Sequence, residues 1–171
     1  MRYAKRGITL IETVVYVAIL AVIVVGAVRL LLASSFNVAG VRAERKIIAD
    51  GKFALELLTR ETRLSSDVIS GGSAFGVNPG TLQLRSLASP GSSAEATKTF
   101  TLSGGRITRQ AEGGGIEYLT GAETRVTHLI FWQSSNANSK LISVKLTLES
   151  GEGRAKEEAT LYGSAVLRRG Y

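Results

Sequence analysis

No cysteine occurs anywhere in the 171 residues. That removes a disulfide framework, a thiol nucleophile and a Cys-ligated zinc site together. It does not argue against export, because a domain with an adequate core needs no cross-link. Histidine is almost as scarce, with His128 the single one. Its surroundings read as a strand on which it shares a face with Val126, Ile130 and Trp132, a packed or edge position. No Gly-x-Ser-x-Gly elbow supplies it with a nucleophile. Metal-ligand spacing is missing as well, and the loops are poor in Asp. Gly71-Gly72 and Gly113-Gly114-Gly115 are followed by neither Gly-Lys-Ser/Thr nor a helix start, so they do not read as phosphate loops. The expectation is a non-enzyme with no cofactor and no metal. Blocks of five or six like charges are also absent, which leaves the net charge of +7 as a scattered basic surface.

What is present is unevenly placed. Residues 13–28 contain no charged side chain, and apolar character continues through Leu30, Leu31, Leu32 and Ala33. The later residues are those of a Ser/Thr/Gly-rich globular domain, long enough for one core but near the small end. Arg2, Lys5 and Arg6 lead the chain, and without these three cations the charge of +7 becomes +4. A basic tip before an apolar run admits three readings. A secretory signal peptide would be cut near Ala33-Ser34, but its apolar region is ordinarily about 7–15 residues and gains nothing from Glu12 at the entrance. A plain signal anchor fits the length: residues 13–33 make about 31 Å of helix, enough for a hydrocarbon core of about 30 Å. Arg29 would snorkel to the far interface, and the basic tip would stay cytoplasmic. That topology leaves Glu12 unexplained.

The third reading explains it. The run Lys5-Arg6-Gly7-Ile8-Thr9-Leu10-Ile11-Glu12-Thr13 resembles the processing and methylation signal of type IV pilins and type II secretion pseudopilins. The resemblance implies that a membrane peptidase cuts after Gly7, that Ile8 becomes the N-methylated first residue, and that Glu12 becomes the fifth. The first mature residue in that family is usually Phe, and Ile8 departs from this. The cut precedes the apolar helix, so the helix stays in the mature protein. Further implied are a prepilin peptidase, sister minor subunits, an inner-membrane assembly platform and an extension ATPase.

The chemistry of Glu12 suits this resemblance. A carboxylate at the edge of hydrocarbon costs about 3 kcal/mol or more unless protonated or paired. Cutting after Gly7 creates a cationic amine at Ile8. Like helices packed with an axial offset then pair one subunit's Glu12 with another's Ile8 amine, which favours one register over its neighbours. The plainer account is a carboxylate satisfied by the helix dipole and backbone amides of its own N-terminus.

No proline precedes Pro79, and the spacing predicts one helix over 10–66, membrane-embedded first and amphipathic later. Ile47, Leu55 and Leu58 mark its apolar stripe, which Leu57, Leu64 and Val68 extend. Charged residues, Glu61 among them, fill the other sides. Gly26, Gly40 and Gly51 are candidate bends, each weakening the helix by about 1 kcal/mol relative to Ala. Residues 67–72 end it. The period then changes to two. Ile142, Val144, Leu146 and Leu148 alternate with polar residues as a half-buried strand. A hairpin is predicted around Ser103-Gly104-Gly105, and further strands at 81–87, 116–119, 126–133 and 159–167. Turn clusters separate them, with Pro79-Gly80 and Pro90-Gly91 the sharpest breakers and others near 89–94 and 134–139. The fold class expected is α+β, the amphipathic half of the helix packed on an antiparallel β-sheet.

The expected organisation is a leader over 1–7, a transmembrane and assembly helix over 8–33, its amphipathic continuation over 34–66 and a β-rich head over 67–171. The segments Leu57-Leu58-Thr59-Arg60-Glu61-Thr62-Arg63-Leu64, Gly104-Gly105-Arg106-Ile107-Thr108-Arg109 and Ala165-Val166-Leu167-Arg168-Arg169 resemble minor members of the pilin group, the J-type pseudopilin in particular. The resemblance thus implies a minor pilin or pseudopilin that initiates or caps a filament from the bacterial cytoplasmic membrane, its N-terminus inside. Two alternatives remain. One is a signal-anchored ligand-binding ectodomain. The other is a competence pilin in which Phe131, Trp132 and Tyr162 stack the bases of a nucleic acid.

Overall fold

The computed structural model describes residues 9–87, 94–136 and 139–168. Gly7, Ile8, the Pro90-Gly91 breaker, Ala137, Asn138 and Arg169 lie outside the described residues. One helix, α1 (Leu10–Leu64), is followed by strands alone, apart from two short 3₁₀ turns. The chain divides into two compact units, Met1–Ala39 and Gly40–Tyr171. The α+β class holds, and the expected sheet is split in two. A five-stranded antiparallel meander contains β1 (Asp67–Val68), β2 (Leu82–Leu87), β3 (Glu95–Ser103), β4 (Arg106–Ala111) and β5 (Ile116–Tyr118). A three-stranded one contains β6 (Thr124–Ser135), β7 (Ser139–Ser150) and β8 (Glu157–Arg168).

In the second unit, α1 buries Ala43, Ile47, Ala54 and Leu58, a stripe spaced by four, seven and four residues. These share one core with Leu82, Leu84, Phe100 and Ile107 of the first sheet and Leu129, Phe131, Leu146 and Leu148 of the second. Each large side chain so buried contributes about 1.5–3 kcal/mol. Gly51 belongs to this face. A Cβ there would run into the Leu161 side chain and reach Leu148 Cδ1 at 3.1 Å. Its service is close helix–sheet approach, and α1 passes through Gly26, Gly40 and Gly51 as one unbroken helix. Two assigned stripe residues move elsewhere. Leu64 is 63% exposed, and Val68 is buried in β1, because residues 67–68 pair with Leu84 and Arg85 instead of merely ending the helix.

Glu61, read from sequence as surface filler, is 7% exposed. Its Oε2 lies 2.8 Å from Lys98 Nζ on β3 and its Oε1 2.9 Å from an Arg109 guanidinium nitrogen on β4. Arg109 also reaches Glu117 on β5 at 2.6 Å. Two further ties hold α1 to the segment after β5: Gly121 N–H donates to Asp50 Oδ2 at 2.9 Å, and Lys46 pairs with Glu123.

The predicted hairpin forms at Gly104 (φ +58°) and Gly105 (φ +75°), with Ser103 opposite Arg106. Positive φ at both central residues is what a two-residue hairpin turn of this hand requires. On β6 the predicted face fails at one point. A bulge between Val126 and His128 breaks the register with β7, and one extra residue reverses the side of everything after it. Val126 therefore points inward, whereas His128 and Trp132 are exposed and Leu129 and Phe131 are buried. The Asn78 side chain stabilises the bulge, donating to the Thr127 carbonyl (3.2 Å) and accepting from Leu129 N–H (3.0 Å).

At the far end of β7, Lys156 Nζ lies 2.8 Å from Glu149 Oε2 and Arg125 lies 4.0 Å from Oε1. The Lys156 hydrogen bond, helped by both cationic charges and opposed by partial burial, holds the Glu149 carboxyl below its ordinary 4.5. A depressed folded-state value means the stabilisation is full above the unfolded value and is lost as pH falls through the folded one. Glu149→Gln should therefore melt below the parent at neutral pH. The gap should close on acidification beneath 4.5, and a pH-independent gap would refute this electrostatic account.

Candidate functional site

The first turn of α1 carries the residues that the sequence singled out. Thr9 caps it: Glu12 N–H donates to Thr9 Oγ1 at 3.3 Å, and Thr13 N–H donates to the Thr9 carbonyl at 3.2 Å. Thr9 is thus the N-cap and Glu12 the third helical residue, half of a Thr-x-x-Glu capping box. The carboxylate lies on the first helical turn, where the helix dipole favours negative charge by about 0.3–1 kcal/mol. Tyr16, one turn on, donates its hydroxyl to Glu12 Oε1 at 3.1 Å. The other carboxylate oxygen accepts no hydrogen bond among the described residues. Glu12 is exposed, so this oxygen is accessible to a second cation.

Around this polar tip the helix is apolar and bare. Leu10 is 84% exposed and Leu30 74%. An 18-residue window of α1 has a mean hydropathy of 2.7 with none of it buried against the rest of the chain. By length and composition, the helix suffices to cross a membrane. Two of its hydroxyls bond back to the helix: Thr13 Oγ1 donates to the Thr9 carbonyl at 3.3 Å and Ser35 Oγ to the Leu31 carbonyl at 2.9 Å. Such back-bonding lets Ser and Thr sit in an apolar helix without unpaired groups.

Of the predicted site residues, Glu12 lies in the first turn of α1, while Gly7 and Ile8 fall outside the described residues. Sequence reasoning missed Thr9 and Tyr16. Both signals were there, a Thr three residues ahead of Glu12 and an aromatic hydroxyl four residues behind it. Elsewhere, Phe131 is fully buried, which removes it from any base-stacking surface, whereas Trp132 and Tyr162 stay 43% and 70% exposed. The His128 ring lies against the Thr127 hydroxyl at 3.2 Å. No group of three or more His, Cys, Asp or Glu that would hold a metal occurs among the described residues.

Residues 2–28 match the model of the prokaryotic N-terminal methylation motif. The motif is typical of type IV prepilins and pseudopilins, and it supports a pilin- or pseudopilin-like protein in general. It implies processing by a prepilin peptidase and pilin-type assembly partners in general. No curated protein and no solved structure matches the chain.

Proposed function

We propose that this chain is a minor pilin or pseudopilin. It is trimmed after Gly7, methylated on Ile8, and held by one membrane pass with its N-terminus inside. Its helix then builds it into a type IV pilus or a type II secretion pseudopilus. The observation that carries the reading is the Thr9-capped Glu12 at the head of a bare apolar helix, directly after Gly7-Ile8. In the unassembled form Tyr16 and the helix N-terminus satisfy the carboxylate. In the filament a neighbour's cationic Ile8 amine engages the remaining oxygen, and that charge-assisted contact selects the axial register. The chain works as a structural subunit rather than an enzyme, with sister minor subunits and the assembly platform as partners. Its β-rich unit supplies the distinct head that initiates or caps the assembly.

N-terminal sequencing and intact mass of the protein from native membranes test this directly. The expected mature chain begins at Ile8 with one added methyl group. A chain that begins at Met1, or beyond Ala33, would overturn the proposal.

A further inference from the structure

Sheet edges that present unpaired N–H and C=O groups invite another strand, and proteins ordinarily blunt them. Four edges occur here among the described residues, and three are blunted. β1 and β5 are two and three residues long. The outer edge of β6 is stitched to other segments: Gly76 and Gly80 N–H donate to the Phe131 and Leu129 carbonyls at 2.8 and 2.7 Å, and Val126 N–H donates to the Gly105 carbonyl at 2.8 Å.

The fourth edge is open. β8 pairs with β7 in continuous register over twelve residues and with no other strand among the described residues. It has no bulge, no proline, and no charged residue over 159–167. Its inner face rests on α1. Leu161 lies over Gly51, and Gly163 lies over Leu55 and Thr59. One turn beyond Thr59, Arg63 overhangs a cavity of about 550 Å³ that Leu141, Ser164, Ala165 and Val166 also line. No carboxylate pairs with Arg63 among the described residues, whereas the start of β8 carries exposed Glu157 and Glu158.

We infer that the outer edge of β8 is a strand-addition site for a different subunit of the assembly, a step that rests on the filament reading above. The incoming segment runs antiparallel, the stabler arrangement per residue. It carries a carboxylate near its N-terminal end, against Arg63, and a basic residue near its C-terminal end, against Glu157 and Glu158. Main-chain hydrogen bonds supply affinity and the two charged ends fix direction. The β8 strand of a second copy also runs from acidic to basic. However, β8 and the underlying stretch of α1 run the same way, Gly40 beside Glu157 and Thr59 beside Gly163. Antiparallel β8 pairing would therefore point the two underlying stretches of α1 in opposite directions, against the common polarity that the filament reading gives its subunits.

Hydrogen–deuterium exchange on the full chain in detergent micelles tests the site. The probe is a synthetic peptide of β8's length with Asp-Asp at its N-terminal end, alternating Val and Thr, and Lys-Lys at its C-terminal end. Saturating probe should slow exchange of β8 amides about tenfold or more, and exchanging its Asp and Lys ends should weaken binding about tenfold. Arg63→Glu, at an exposed position, should remove that preference, because both ends of the site are then acidic, and backbone N-methylation of the probe should abolish protection. β8 exchange that the probe leaves unchanged, or that the N-methylated probe slows equally, would overturn the site. So would protection that needs only a higher concentration of the chain, which would mark self-pairing. Each of these results is independent of whether the mature chain begins at Ile8, so the two proposals fail separately.

Discussion

Glu61→Ala should lower the unfolding free energy of the β-rich unit by about 3 kcal/mol, the usual cost of removing one member of a buried charge network. The carboxylate is the only acceptor that Lys98 has among the described ion pairs, and these side chains are 10% and 19% exposed. Deleting Glu61 leaves the ammonium desolvated and unpaired. Arg109 suffers less, since it keeps Glu117 at 2.6 Å. That asymmetry makes the account testable beyond a single melt. Replacing Glu61 and Lys98 together by Met should recover much of the loss, because apolar groups of similar volume are tolerated where an orphaned charge is not. Urea titrations of the parent, the single and the double variant decide it. A Glu61→Ala loss under about 0.5 kcal/mol would mean that solvent already screens the network.

Glu12→Ala should leave the chain in the membrane and remove it from filaments. Insertion depends on the apolar stretch after Glu12, which the substitution leaves intact, and the helix loses a dipole contribution of about 0.3–1 kcal/mol together with the Tyr16 hydroxyl contact. Assembly is a different matter. If the pairing of Glu12 with a neighbour's amine is worth about 1.4–3 kcal/mol, each incorporation falls ten- to more than a hundredfold. Glu12→Gln separates charge from shape, because the amide oxygen still accepts from Tyr16. The expected pattern is both variants at normal level in membrane fractions and both depleted from sheared filaments. Glu12→Gln incorporated as the parent is would show that hydrogen bonding suffices, and normal incorporation of both would remove Glu12 from assembly altogether.

The extent to which the sequence was legible follows the range of the interactions involved. α1 and the strands later seen as β2, β7 and β8 were readable because an apolar period of 3.6 or 2 is local information. So was the Gly104-Gly105 turn, whose positive φ values name their residue type. The division into two sheets was not readable, since pairing between distant strands leaves no mark on either alone. β1 escaped because two residues, Asp67 and Val68, carry no period. Glu61 misled for a related reason: a carboxylate on an amphipathic helix is normally solvated, and only the distant Lys98 and Arg109 make its burial favourable. At the N-terminal site, Glu12 stood out because a charge beside an apolar run is anomalous. Thr9 and Tyr16 are ordinary residues whose role lies in spacing.

The bulge at Thr127 acts as a parity switch in the chain. Before it, the odd or even count of a residue says nothing reliable about the face it takes after it, so composition alone does not decide which aromatic groups this surface shows. Were Thr127 paired into the ladder with no bulge, Phe131 would meet solvent and Trp132 would be packed inside; the bulge and the Asn78 amide that braces it choose the opposite display. The outward chemistry of the three-stranded sheet is therefore set by a backbone insertion. A change at Asn78, which belongs to neither that sheet nor its face, would be felt as a change in what the sheet presents to its surroundings.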